Sequence, residues 1–391
     1  LRNSWKSQKR KKRRENSFII RLLPAEEQNS LIHKMNILVT GASGFIGSFL
    51  VEKALDLEMN VWAGVRGSSS RRYLQDERIN FIELDLDDEA ALTRLFAKAK
   101  EEFGAWDVVI HAAGITKSRF RHDFFAVNCN GTRNLVNALR NAGAMPRQFV
   151  YLSSLSIYGA LREEPIGMHK DNNPFGSKGE SGEFREVIYE PIRKDDTPQP
   201  NTAYGMSKAA AENFIRVSDG LQWVIFRPTG VYGPRERDYF LMAKSIKSHV
   251  DFAVGFKRQE ITFVYVKDLV DAVFAAIERG VTKKTYLISD GRTYNSRTFG
   301  QLLQNAMGIK GVVRLTVPLW ILRAVCAVAQ TASKFTGKTP TLNLDKYRIM
   351  KQRNWQCDIS DAVKELDYRP KYDLKKGVDE TVAWYKKEQW I

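Results

Sequence analysis

The chain has 391 residues, 43% hydrophobic and 11% aromatic, which is enough apolar side chain for a sizeable core and too much for wholesale disorder. Its formal net charge of +16 invites an anionic partner, yet residues 1–34 hold ten Lys/Arg against three Glu, much of the excess in the block Lys9 to Arg14. Three cysteines, Cys129, Cys326 and Cys357, exclude a disulfide framework, and no Cys/His pair has zinc-ligand spacing, so no metal is expected and a reducing, cytoplasmic compartment is the simplest reading.

Residues 1–34 read as a basic, unstructured extension, because Met35 stands directly before a strand-like run. They lack the regions of a signal peptide, and no aromatic or fold motif supports specific nucleic-acid binding by the basic block. From Met35 the pattern alternates. Apolar runs at 36–40, 60–65, 79–83, 107–110, 148–152 and 223–226 predict buried parallel strands, with a further one at 285–288. Helical stretches are predicted from the turn at 41–47 to Leu57, over 89–102 and over 131–141. This alternation predicts an α/β fold, a doubly wound parallel sheet with helices on both faces. Residues 160–200, with five prolines and mixed charge, read as a long loop. The stretch 229–391 reads as a smaller, mixed second domain. The expected division is an extension 1–34, a nucleotide-binding domain 35–228 and a mainly substrate-binding domain 229–391, with 258–290 returning to the sheet. The apolar stretch Val317 to Ala332 is broken by Arg323 and is too short to span a bilayer.

Gly41, Gly44 and Gly47 follow the first predicted strand and open the first helix. That spacing suits a dinucleotide: a sharp turn, a close approach of the pyrophosphate to the backbone, then close helix–strand packing. The helix N-terminus adds free N–H groups and partial positive charge. At the end of the second strand an acid would favour NAD. Here Arg66 stands there, followed by Ser68, Ser69 and Ser70, so the expected cofactor is NADP in preference to NAD.

Tyr204 and Lys208 are four apart and share a face if helical. A free tyrosine has a pKa near 10, and a nearby ammonium is expected to lower it toward neutral pH for acid–base work.

Taken with their company, these residues resemble the extended short-chain dehydrogenase/reductase superfamily, also called the NAD-dependent epimerase/dehydratase family. The matching pieces run in order over most of 35–391: the turn at 40–47, Asp85-Leu86, His111-Ala-Ala-Gly114, Asn128 with Gly131 and Thr132, Ser153-Ser154, the Tyr204/Lys208 pair, the run from Arg227 to Pro234, Phe263 to Asp268, and the tail from Asp367. The resemblance implies a Rossmann sheet with a substrate-binding domain. It implies Ser154, Tyr204 and Lys208 as catalytic residues, Tyr204 being the general acid/base. It implies a dinucleotide site formed by Gly41, Ser43, Gly44, Phe45, Ile46, Gly47, Arg66, Asp85, Leu86, Ala112, Ala113, Gly114, Asn128, Ser153, Tyr204, Lys208, Arg227 and Pro228. His111 is expected to be structural.

The expected chemistry is hydride transfer between nicotinamide and a carbonyl or hydroxyl carbon of a small molecule. The alternatives are a sugar-nucleotide epimerase, in which Arg227, Arg235, Lys257 and Arg258 would grip a diphosphate, and a non-catalytic dinucleotide sensor, which the Tyr/Lys pair disfavours. No Asp-Glu pair follows Ser154, so dehydration is not expected. The segment 318–329 resembles the dihydroflavonol-reductase and hydroxysteroid-dehydrogenase branch, and is expected to line an apolar pocket, touch a membrane surface or simply pack as a helix. The long spacing between Ser154 and Tyr204 leaves the loop at 160–200, with Glu163, Glu164, Asp171 and Tyr189, as either a cover for the site or a surface elaboration. A homodimer is expected from the resemblance.

Overall fold

The computed structural model describes residues 35–170, 177–178, 184–336 and 340–391. The basic extension 1–34, Asp171 and the run 337–339 lie outside the described residues.

Seven strands form one sheet: β1 (Asn36–Thr40), β2 (Asn60–Val65), β3 (Asn80–Glu83), β4 (Val108–His111), β5 (Gln148–Leu152), β6 (Trp223–Pro228) and β7 (Lys284–Ile288). They lie in the order β3-β2-β1-β4-β5-β6-β7, every neighbouring pair parallel. The main helices, in chain order, are α1 (Phe45–Asp56), α2 (Glu89–Phe103), α3 (Gly131–Asn141), α4 (Ala203–Val217), α5 (Asp238–Lys247), α6 (Val266–Glu278), α7 (Thr298–Met307), α8 (Leu319–Thr336), α9 (Leu344–Lys351), α10 (Ser360–Leu366) and α11 (Leu374–Lys387).

The strands are continuous apolar runs because both faces are covered. In β1, Ile37 and Val39 enter one core with residues of α1 and α6, while Leu38 enters the other with residues of α2, α3 and α4. Local chemistry sets the helix ends. Asp88 caps α2 through the Ala91 N–H at 2.8 Å, and Gly104, at φ +83°, ends it. Thr202 caps α4 through the Gly205 N–H at 3.0 Å, which places Tyr204 in the first helical turn.

From β1 the sheet grows outward through β2 and β3, then the chain returns to the other side of β1 with β4. The crevice beyond the carboxyl ends of β1 and β4 is where an open α/β sheet of this order binds its ligand. A second lobe packs around Tyr232, Phe263, Tyr265, Phe299, Val378 and Tyr385. The chain crosses between the lobes repeatedly. Helix α6 and strand β7 pack with the sheet, and so do Ala362, Leu366 and Tyr368 of the α10 region, a second return that the sequence pattern did not suggest.

Beneath β6, Arg227 meets Glu212 of α4 through Nε–Oε1 at 3.0 Å and Nη2–Oε2 at 2.6 Å, both side chains almost wholly buried. A third guanidinium nitrogen reaches the Tyr158 hydroxyl and the Lys194 carbonyl. Removing one partner leaves an uncompensated buried charge, so Glu212→Ala should cost about 3–5 kcal/mol in urea unfolding. A loss under about 1 kcal/mol, typical of an exposed pair, would contradict this account.

Candidate active site

Three glycines form the turn after β1. Gly41 has φ +68°, which an L side chain resists. A Cβ there would stand 2.7 Å from the Ala113 backbone of the loop after β4, and one at Gly47 would collide with the Gly41 carbonyl. The Gly44 N–H donates to the Gly41 carbonyl at 3.0 Å. No side chain caps α1, and its first turn holds no acid, so its N-terminal N–H groups are left for an anion. Ser43, Phe45 and Ile46 are partly exposed along the same turn. Ala112 and Ala113 donate to the Thr40 carbonyl and hydroxyl at 3.2 and 3.4 Å, holding the β4 loop against the glycine turn. Asp85, exposed beyond β3, accepts from the Asp87 N–H at 3.0 Å, and Leu86 lies against Gly131.

Arg66 follows β2 with its side chain exposed. Its N–H donates to the Ser69 hydroxyl at 3.1 Å, and among the described residues its guanidinium has no ion-pair or hydrogen-bond partner. By contrast, Arg72 pairs with Glu388 and Arg71 covers the Phe81 ring.

At the end of β5, the Ser153 hydroxyl is buried with no hydrogen-bond partner. Ser154 accepts from the Ser156 N–H at 3.1 Å, which leaves its own hydrogen free to donate. The Ser154 hydroxyl stands near enough to the Tyr204 phenol to pull its pKa down. Lys208, one turn further along α4, is buried. Its Nζ donates to the Leu152 carbonyl at 2.8 Å and lies 4.7 Å from the Tyr151 ring centre. A Cβ at Gly114 would be 3.3 Å from that Nζ, which brings the β4 loop to the same point. A ready glycine cradle, an uncapped helix end, and an orphaned serine hydroxyl and a buried ammonium both at the end of β5 fit a dinucleotide laid across β1, β4 and β5.

The expectation of a lowered Tyr204 is reversed. The surrounding protein pushes the Tyr204 phenol above its ordinary value, and it is the Ser154 hydroxyl that pulls it back. Lys208 itself is lowered to about 8 by burial, against a pull upward from Glu212. Asn128, assigned to the cofactor set, has its amide consumed: it accepts from the Ile115 N–H at 2.8 Å and donates to the Ile115 carbonyl and the Ser207 hydroxyl, both at 3.0 Å. It sits on a turn of π-helix, Phe125–Asn130, a device common at functional sites, and it ties the β4 loop to α4. His111 is fixed between Thr40 at 2.7 Å and Thr132 at 2.9 Å, and burial, then the Lys208 charge, push it down to about 3. It is neutral and structural.

The arginines also differ from expectation. The Arg227 guanidinium is paired with Glu212 rather than left free for a cofactor or diphosphate, whereas Pro228 borders the cleft at Ser154. Arg235 is held by Ser48 and Glu52 of α1 and lies over the Phe49 and Tyr73 rings. Arg258 pairs with Glu260.

Beside Ser154 opens a cavity of about 350 Å³ whose walls include Met242, Phe252, Ile261, Phe299, Met350 and Trp355. These come from separate stretches between residues 242 and 355, and nothing periodic in the sequence links them. No residue of α8 lines it, so the lining expected of segment 318–329 is not observed. The described part of the 160–200 insertion braces the wall. Ile192 is bridged to Cys357, Asn354 donates to the carbonyls of Arg162 and Glu190, and Glu163 accepts from the Arg353 N–H at 2.8 Å. Tyr189 is buried there.

Because burial depresses Lys208, the unfolded chain binds that proton more tightly than the folded one between about pH 8 and the ordinary value of 10.5. The penalty is fully present below that window and is relieved as the pH rises through it. Lys208→Met abolishes it. The stability of the variant relative to the parent should therefore be most favourable near pH 7 and decline toward about pH 10, read by urea melts of the cofactor-free protein. A pH-independent difference would contradict a buried ammonium.

The chain is 25% identical to sterol demethylase protein B of Methylococcus capsulatus, over 91% of this chain and 100% of that protein. It is 28% identical to the uncharacterized UDP-glucose epimerase YtcB of Bacillus subtilis, over 90% and 98%. The fold matches the crystal structure of the Bordetella bronchiseptica enzyme WbmG in complex with NAD, with a TM-score of 0.67 at 21% identity, covering 90% of this chain and 94% of that one. The family model that fits residues 37–289 spans the glycine turn, the Ser154/Tyr204/Lys208 cluster and the last sheet strand, and by that match the chain belongs to the NAD dependent epimerase/dehydratase family.

Proposed function

We propose that the protein is an NAD(P)-dependent dehydrogenase or reductase whose substrate presents a secondary alcohol or ketone on a largely apolar body. The observation that carries this is the apolar cavity opening onto Ser154. Its volume falls in the range of small-molecule sites, about 300–1,000 Å³. A bound dinucleotide would supply or accept the hydride. The chain's residues do the rest. The Ser154 hydroxyl, braced by the Ser156 N–H, holds the substrate oxygen. Tyr204, beside Ser154, gives or takes the proton on that oxygen. Lys208 is placed to hold a ribose hydroxyl, and Ser153 supplies an unspent hydrogen-bonding group at the end of the same strand. The relative named for sterol demethylation supports an apolar substrate.

The second reading is a sugar-nucleotide epimerase, which the UDP-glucose epimerase relative favours. Against it, three of the four cations expected to grip a diphosphate, Arg227, Arg235 and Arg258, are each matched to a carboxylate within the protein, which leaves Lys257 for that role without breaking an ion pair.

Tyr204→Phe keeps the ring and removes the transferable proton. It should lower kcat on an apolar ketone by at least about 10²-fold while dinucleotide affinity stays nearly unchanged. Double substitution with Ser154→Ala should be little worse than the worse single variant. Near-normal turnover by Tyr204→Phe would defeat the mechanism, and interconversion of UDP-sugars with no apolar turnover would favour the epimerase.

For the cofactor, the reading is NADP over NAD, supported by the unpaired Arg66 guanidinium and the serines beside it. Arg66→Ala should weaken NADPH binding by about 1.5–3 kcal/mol, the worth of one charged hydrogen bond, and leave NADH binding nearly untouched. Titration of the two cofactors by fluorescence measures this, and an unchanged preference would refute the assignment.

A further inference from the structure

Among the described residues, no helix is long and apolar enough to cross a membrane. Yet α8 turns apolar side chains both ways. Leu322, Cys326 and Ser333 face inward, while Trp320, Val328 and Phe335, 72%, 70% and 84% exposed, form an outer stripe at helical spacing. The stripe continues past the start of α8. Gly255 donates to the Val317 carbonyl at 2.9 Å and lies against Leu319, so Phe256, 79% exposed, stands beside the first turn. Next to it the paired strands 250–254 and 313–317 set exposed Phe252 opposite exposed Leu315. Phe252 also lines the cavity that reaches Ser154. The exposed apolar surface and the cavity mouth therefore meet at one side chain.

Charge identifies what covers this surface. From Gly291 to Leu344 there are seven Lys/Arg and not one Asp or Glu. Lys257, Lys310 and Arg323 are exposed and form no ion pair among the described residues. The nearby acids are turned inward, Asp251 onto Arg297 and Glu260 onto Arg258. Aromatic and aliphatic side chains in a basic surround whose nearby acids Asp251 and Glu260 are paired match the interface of an anionic bilayer. A second copy of the chain fits less well, because a two-fold contact would set the same cations face to face.

We propose that the face formed by α8, the 255–257 loop and the strand pair docks on the surface of an anionic phospholipid bilayer, setting the cavity mouth at Phe252 against the lipid. The docking stands on its own. Direct entry of substrate from the lipid rests in addition on the apolar-substrate reading.

The test uses the full chain in sedimentation with vesicles of phosphatidylcholine alone and of phosphatidylcholine with phosphatidylserine. Binding is expected to the mixed vesicles only. Trp320→Glu combined with Val328→Glu should lower partitioning by about tenfold or more. Lys257→Gln and Arg323→Gln should each lower it by about fivefold. Val217→Glu, at an exposed apolar residue at the far end of α4, should change nothing. Thermal unfolding checks that each variant is folded, and the emission difference between the parent and Trp320→Phe should shift to the blue when mixed vesicles are added. The proposal fails if the parent binds neither vesicle, if it binds both equally, or if the Trp320/Val328 variant binds as the parent does, which would assign binding to other cations such as Lys9 to Arg14. It also fails if that variant splits a dimer that never binds lipid, which would give the face to a second copy. Vesicle binding through this face by a protein that turns over only UDP-sugars would keep the docking and sink the apolar-substrate reading.

Discussion

The buried ammonium of Lys208 holds the site together. A lysine in such a place needs a partner, and the partner is the Leu152 carbonyl at the free end of β5. This one bond pins α4 to the strand whose next two residues are Ser153 and Ser154. With Thr202 fixing the first turn of α4, the position of Tyr204 beside Ser154 follows. Asn128 makes the same join from the other side, linking the β4 loop to Ser207. The glycine turn, the β4 loop, the end of β5 and α4 thus meet around a single cation, and a dinucleotide laid across them would meet it as well.

On the proposed reading, what enters from the opposite side is decided by the second lobe and by where its charges go. Arg227, Arg235 and Arg258 are matched to Glu212, Glu52 and Glu260. With these charges satisfied inside the protein, the remaining wall beside Ser154 is largely methyl, methylene and ring surface. The insertion at 160–200 contributes by bracing the 352–358 segment, so that Trp355 stands in the wall on a hydrogen-bonded support rather than on a free loop.

Much of this was legible in the sequence, for physical reasons. A parallel strand covered on both faces must be apolar at every position, so the sheet strands read as short unbroken runs. The turn after β1 needs glycine at Gly41 and Gly47, where a Cβ would strike backbone. The Tyr204/Lys208 spacing reads directly as one helix face. What was not legible depends on contacts between distant residues. The cavity wall draws on Met242, Phe252, Phe299 and Trp355, which share no period. The fate of Arg227 depends on Glu212, fifteen residues earlier on another element. The return of the α10 region to the sheet core carries no local mark beyond a short apolar pair, Ala362 and Leu366. Spacing alone suggested a lowered Tyr204, but burial, which spacing does not show, raises the phenol, and the Ser154 hydroxyl pulls it back.

The central claim is that apolar contact in the cavity beside Ser154 selects the substrate. A homologous series of straight-chain ketones, each one methylene longer, tests it through kcat/KM measured with saturating dinucleotide. Each methylene buried in the wall is worth about 0.8 kcal/mol, so kcat/KM should climb about fourfold per carbon until the cavity is full, then level off. A series that is flat from the shortest member would show that the cavity contributes nothing to recognition, and would contradict the account.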